Sequence, residues 1–176
     1  MTTTATEDIF EVVYALEGHA KPFAIEVPVD ASDAMVFNLI ANKHGLGSDH
    51  RLFWEDDTEE SRDDDEHDAL VDVVGLVSRL RVDFRQIHVG RSGKIAVSVR
   101  YNARTVERKF RPNATIRRVI RWAISKKGLD LIGQPAEFQI KHDGKVIPPQ
   151  THLGQLARCD DALAFVLVAN IKPQGC

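Results

Sequence analysis

Hydrophobic and polar positions along this chain alternate with a period of two in several short runs and change to a helical period in two places. Ile9 to Leu16 and residues 22–29 predict two strands, joined by Glu17-Gly18-His19-Ala20-Lys21, where Gly18 suits a hairpin turn. Ser32 and Asp33 then offer N-cap oxygens to a helix whose inward stripe takes in Val36, Leu39 and Ile40, with Met35 beside it, and Gly45 can end it in a left-handed conformation. A short strand follows at 51–54. Leu80, Val82 and Phe84 alternate with Arg79, Arg81 and Asp83, so residues 77–84 read as the closing strand of this unit.

The same order returns after residue 85. Residues 94–101 and Arg104 to Phe110 predict a second hairpin around Asn102-Ala103. Ile116, Val119, Ile120, Ala123 and Ile124 lie at helical spacing, with Asn113 or Thr115 available to cap the start and Gly128 the end. Phe138 to His142, the Asp143-Gly144 turn and Lys145-Val146-Ile147 form a further hairpin pattern, Thr151 to Leu156 a helical turn, and residues 163–169 a last strand. Strand, strand, helix, strand occurring twice predicts an α+β protein of two tandem units, 7–84 and 85–170, each a mixed sheet packed on one main helix, with a tail at 171–176.

Charge strengthens the division. Residues 1–84 carry 6 Lys/Arg and 20 Asp/Glu, a net of −14, and residues 85–176 carry 17 and 6, a net of +11, which together give the overall −3. Two surfaces of opposite sign can also attract each other. With 43% apolar residues the 176-residue chain can fill two small cores. The longest apolar stretch, Ala162 to Ala169, is far below the ~20 residues of a membrane-spanning helix. The first residues lack the basic start and apolar core of a secretion signal, so a cytoplasmic protein with no membrane partner is expected. Cys159 and Cys176 are too few for a disulfide framework.

Most motif-like features favour ordinary structural roles. The stretch from Glu55 to Asp68 holds ten carboxylates but lacks the glycine and ligand spacing of an EF-hand loop, so a solvated acidic segment is expected. His44, His50, His67, His142 and His152 show no metal-ligand spacing, so no metal site is assigned. Gly45-Leu46-Gly47 follows a helix and lacks the third glycine of a dinucleotide fingerprint, and no cofactor is expected. Asn113-Ala114-Thr115 has the form of a glycosylation sequon, yet helix capping is the role expected without secretion. Arg104, Arg108, Lys109, Arg111, Arg117, Arg118, Arg121, Lys126 and Lys127 could meet phosphates. Nucleic acid is nevertheless disfavoured as a partner, because no aromatic platform accompanies these charges and the acidic unit would repel a polyanion.

Val27-Pro28-Val29-Asp30-Ala31-Ser32-Asp33, Arg51-Leu52-Phe53-Trp54, Thr115-Ile116-Arg117-Arg118-Val119 and His142-Asp143-Gly144-Lys145 resemble the strand exit, central strand, helix start and tight turn of the ubiquitin family. The resemblance covers nearly all of residues 8–175 and implies two β-grasp domains. Two units before a tail most resemble the interferon-induced two-domain modifier of vertebrates and the bacterial antiphage counterparts of the Bil type. It also implies chemistry performed on the chain, with no catalytic residue of its own. Gly175 would be the conjugation site, and cleavage between Gly175 and Cys176 would mature it. The implied partners are a dedicated activating enzyme, a conjugating enzyme, a processing or deconjugating metallopeptidase, and a target protein such as a phage structural protein.

The tail departs from the family pattern, because Gln174 precedes Gly175 where two glycines are common, which points to dedicated machinery. Trp122, Arg118 and Arg121 are candidate docking positions on the second helix, although packing between the two units would equally account for them. Lys141 occupies the outward position where ubiquitin's central strand carries an aliphatic contact. A competing reading is a non-conjugated adaptor whose acidic and basic surfaces join head to tail, with strongly salt-dependent self-association.

Overall fold

In the computed structural model, which describes residues 8–55, 77, 80, 86–91, 93–157 and 162–170, β1 (Ile9–Leu16) and β2 (Phe23–Pro28) form the first antiparallel hairpin. Gly18 turns it with φ at 75°, a conformation costly for a side-chain-bearing residue. Helix α1 (Asp33–His44) starts on Ser32, whose side chain accepts from the Met35 amide, and ends on Gly45 at φ 65°. Val36 and Ile40, one turn apart, are its buried apolar contacts, whereas Met35 and Leu39 are 46% and 39% exposed. The inward stripe is therefore narrower than expected, and Leu39 lies on its flank.

β3 (His50–Trp54) is followed by the largest departure from the expected pattern. Val77 and Leu80 are helical and buried in the first core, so 77–84 is not the closing strand. The apolar positions 77, 80 and 84 also fit i, i+3, i+7 spacing, and that helical period is the one realised at the first two. Val82 and Phe84 lie outside the described residues. The strand that closes the sheet is β4 (Ile87–Arg91), parallel to β1 and antiparallel to β3, giving the order β2-β1-β4-β3. Residues beyond 84 thus belong to the first sheet.

The second unit follows its expected order closely. β5 (Ile95–Tyr101) pairs with β6 (Arg104–Phe110), and β9 (Ala162–Ala169) lies parallel to β5 and antiparallel to β7 (Phe138–His142). β8 (Lys145–Ile147) forms the far edge, so the order is β6-β5-β9-β7-β8. The parallel pairing of first and last strands leaves one face for the helix, the grasp arrangement, and both units are ubiquitin-like β-grasp folds of the α+β class.

Helix α2 (Ile116–Ile124) drops Ile116, Val119, Ile120 and Ala123 onto Val97, Val99, Ile140 and Leu167. Thr115 caps it by accepting from the Arg118 amide, and Thr115→Ala is expected to lower stability by about 1 kcal/mol, read as a shift in the urea midpoint at unchanged slope. The helix stops at Ser125, whose hydroxyl donates to the Trp122 carbonyl at 2.7 Å. Gly128 lies just beyond, where a Cβ would stand 2.5 Å from the Ala123 and Trp122 carbonyl oxygens, so this turn excludes any side chain. A short helix α3 (Leu153–Leu156) and a 3-10 turn at Pro135–Glu137 complete the unit.

Candidate functional site

β9 carries the chain towards the tail along the centre of the second sheet. At its end the Asn170 amide donates to the Glu137 carbonyl at 2.6 Å, which fixes the point from which residues 171–176 continue. Gly175 and Cys176 lie outside the described residues.

The candidate docking residues separate. Trp122 is only 8% exposed and packs edge-on against Phe110 at 5.3 Å, inside the second core. It is a packing residue, and this corrects its assignment as a docking position. Arg118 and Arg121 remain half-buried on α2. Burial draws the Arg118 guanidinium below its ordinary pKa, from a starting point so high that it stays charged. Lys141 sits on β7 between Val146 and Val166 of the neighbouring strands. Its neighbour Ile140 faces the core, so Lys141 projects from the opposite face, away from α2. The structure does not bring Lys141 together with the arginines.

What the structure does bring together is a seam between the two units. Ala15, His88 and Phe53 lie side by side across β1, β4 and β3, on the face opposite the first core. All three are buried, at 0%, 0% and 3% exposure, because the second unit covers this face. The Gly18 amide donates to the Gly154 carbonyl at 2.8 Å, and the Asn113 amide nitrogen donates to the Trp54 carbonyl at 2.6 Å. Asn113 therefore ties the units together, while Thr115 alone caps α2.

At the centre of the seam the His88 and His152 rings meet at Nδ1–Nδ1 3.3 Å, with centroids 5.3 Å apart and planes at 64°. That contact requires one ring to donate and the other to accept, so the accepting ring is neutral. Burial, reinforced by the neighbouring His152 ring, drives the His88 pKa well below its ordinary value, and burial alone brings His152 down to about 4. Both Nε2 atoms are buried without a hydrogen-bond partner among the described residues. Glycines shape the slot. A Cβ on Gly90 would come within 2.8 Å of His88 Nε2 and 3.0 Å of a Glu17 carboxylate oxygen, and one on Gly154 would overlap the His88 ring outright. Glu17 is itself held by the Arg91 amide at 2.7 Å and the Arg91 guanidinium at 3.1 Å.

Sequence reasoning missed this seam. Its signal was present in histidines enclosed by apolar neighbours, Ile87-His88-Val89 and Leu153 after His152, but pairing them needs contacts 64 positions apart. Among the described residues no three His, Cys, Asp or Glu side chains are grouped to hold a metal ion, and no helix is long and apolar enough to cross a membrane.

Comparison with known proteins adds the family context. Residues 96–170 match the family model described as BilA ubiquitin-like domain 2. Among solved structures, the chain is similar to the ubiquitin of Caldiarchaeum subterraneum, at 19% identity over 46% of this chain and 99% of that one, with a TM-score of 0.38. It is also similar to the N-terminal ubiquitin-like domain of the 4931431F19Rik protein, at 20% identity over 49% and 95% of the two chains, with a TM-score of 0.37. No curated protein matches the chain. The second domain of this chain is thus similar to BilA ubiquitin-like domain 2, over residues 96–170.

Proposed function

We propose that this protein is a ubiquitin-like modifier of the tandem kind, conjugated through Gly175. The observation that carries the reading is the similarity of residues 96–170 to BilA ubiquitin-like domain 2, which ends where the tail begins. A dedicated processing metallopeptidase hydrolyses the bond between Gly175 and Cys176 and leaves a free glycine carboxylate. That carboxylate attacks the α-phosphate of ATP in an activating enzyme, releasing pyrophosphate. An enzyme thiolate displaces AMP to give a thioester, the acyl group moves to a conjugating enzyme, and a target amine displaces the thiol to form an amide. Glycine suits these transfers because it leaves the carbonyl open to each nucleophile. The protein supplies the acyl group and its partners the catalysis, in the cytoplasm, with defence against phage as the biological setting.

The test is intact mass spectrometry of the protein after incubation with ATP and the activating and processing enzymes encoded beside it. The expected result is loss of Cys176 and a thioester or amide at Gly175, both abolished by deleting Gly175 and Cys176. An unchanged mass under those conditions would sink the modifier reading. Salt-sensitive self-association that survives this deletion would instead support the adaptor reading.

A further inference from the structure

The face of the first sheet that the second unit covers at Ala15, His88 and Phe53 continues uncovered across β1 and β2. Side chains two apart along a strand share a face, so Ile9, Glu11 and Val13 line up with Ala15, and the pairing sets Pro28, Glu26 and Ala24 beside them. Ile9 is 64% exposed and Val13 36%. Between these apolar rows Glu11 stands directly opposite Glu26, and both are exposed. Like charges so placed repel each other, and neither carboxylate has an ion pair or hydrogen bond among the described residues. Cations set between apolar side chains would relieve that repulsion and cover the rows.

The second sheet carries the complementary pattern. Register places Arg100, Val166, Lys141 and Val146 side by side across β5, β9, β7 and β8, a row that alternates cation and apolar side chain. The adjacent Val99, Ile140 and Leu167 point into the core, so this row faces away from α2. Arg100 is exposed, Lys141 is half-buried and Val146 is 50% exposed. Neither cation has an ion pair or hydrogen bond among the described residues. Glu107 and Lys109 on β6 share the face and offset each other's charge.

The exposures show that the two faces do not cover each other within one chain, yet every copy carries both. Between copies the carboxylate pair can lie across the cation row, with Ile9 and Val13 against Val166 and Val146. The opposite charges of the two halves, −14 and +11, draw unlike ends together from a distance. From this we infer that the protein associates head to tail with further copies of itself, the β1–β2 face of one molecule packing on the β5–β9–β7 face of the next. The contact is heterologous, so each added molecule leaves one face of each kind free and growth is open-ended. Small faces joined through exposed charge make it weak and salt-sensitive. Neither row includes Asn170, so this association stands apart from conjugation through Gly175.

Sedimentation velocity of the full chain tests the pairing. In about 50 mM salt the average sedimentation coefficient is expected to rise as protein goes from micromolar to millimolar, and in about 500 mM salt to stay at the monomer value. Glu11→Gln with Glu26→Gln should weaken the association at least tenfold, and so should Arg100→Gln with Lys141→Gln. Each double variant keeps one intact face, so an equimolar mixture of the two is expected to form a one-to-one complex and grow no further. A parent that stays monomeric at millimolar concentration in low salt overturns the proposal. So does association that salt or either double variant leaves unchanged, which would place the contact on another surface, or a mixture that stays monomeric. Conjugation is read separately by intact mass, so failure of either result leaves the other standing.

Discussion

Gly154→Val is expected to lower stability by about 3 kcal/mol and to separate the two domains. The added carbons would overlap the His88 ring and come within 3.0 Å of Pro112. The ring cannot retreat easily, because its Nδ1 already meets the His152 ring at 3.3 Å. Gly154 itself has no left-handed backbone requirement, so the effect is steric and local to the seam. Displacing α3 would also break the Gly18–Gly154 hydrogen bond and expose Ala15, Phe53 and His88. Small-angle scattering should show a larger radius for the variant, and its thermal unfolding should resolve into two transitions where the parent has coupled ones. A variant within 0.5 kcal/mol of the parent, with the same scattering curve, would show that the seam does not join the domains.

Acid is expected to open the same seam. His152 is held neutral with its pKa near 4, below the ~6.5 of an unfolded histidine, so the unfolded chain binds more protons between those values. Its contribution is fully present above pH 6.5 and is lost as pH falls towards 4, a difference of about 3 kcal/mol. His88 has the same sign, as does His44, which burial, Lys43 and His19 all push down. Carboxylates titrate in the same range, so the informative quantity is a difference between proteins. Urea denaturation of the parent and of His152→Gln at pH 7.5 and 4.5 should show the parent losing about 3 kcal/mol more than the variant over that interval. Equal losses would mean that His152 does not titrate on unfolding. Above pH 6.5 the two histidines stay neutral in both states, so at neutral pH the seam behaves as a fixed joint.

Local chemistry was legible wherever a residue determines its own backbone. Ser32 and Thr115 cap the helices they precede, and Asn102, Asp143 and Gly144 adopt positive φ in the hairpin turns predicted around them. The strands of the second unit were legible because each has one face on the core, which writes a period of two into the sequence. β4 was not, because both its faces are covered: Ile87 and Val89 meet the first core while His88 meets the second unit, and the alternation disappears. Position 80 also belongs to both a period of two and a helical period, and only packing against α1 and β1 decides between them. The candidate site was legible in chemistry more than in place. The proposed role of Gly175 comes from the family resemblance and that residue lies outside the described ones, whereas the seam joins His88 on β4 to His152 before α3, which no single window of sequence unites.

Parallel pairing of the first and last strands gives the protein a timetable. In the first sheet Tyr14 pairs with Ile87 and in the second Val97 pairs with Leu163, separations of 73 and 66 residues. At ribosomal speeds of roughly 5–20 residues per second, about 4–15 seconds pass between the synthesis of β1 and that of its central partner. Throughout that wait β1 has only β2 for company, and the edge that β4 will take stands open to any other strand in the cell. The seam must wait longer still, since His88 is made 64 residues before His152. Each new copy therefore spends its first seconds as a half-closed sheet, and how reliably it is shielded in that interval bears directly on how much protein survives to be used.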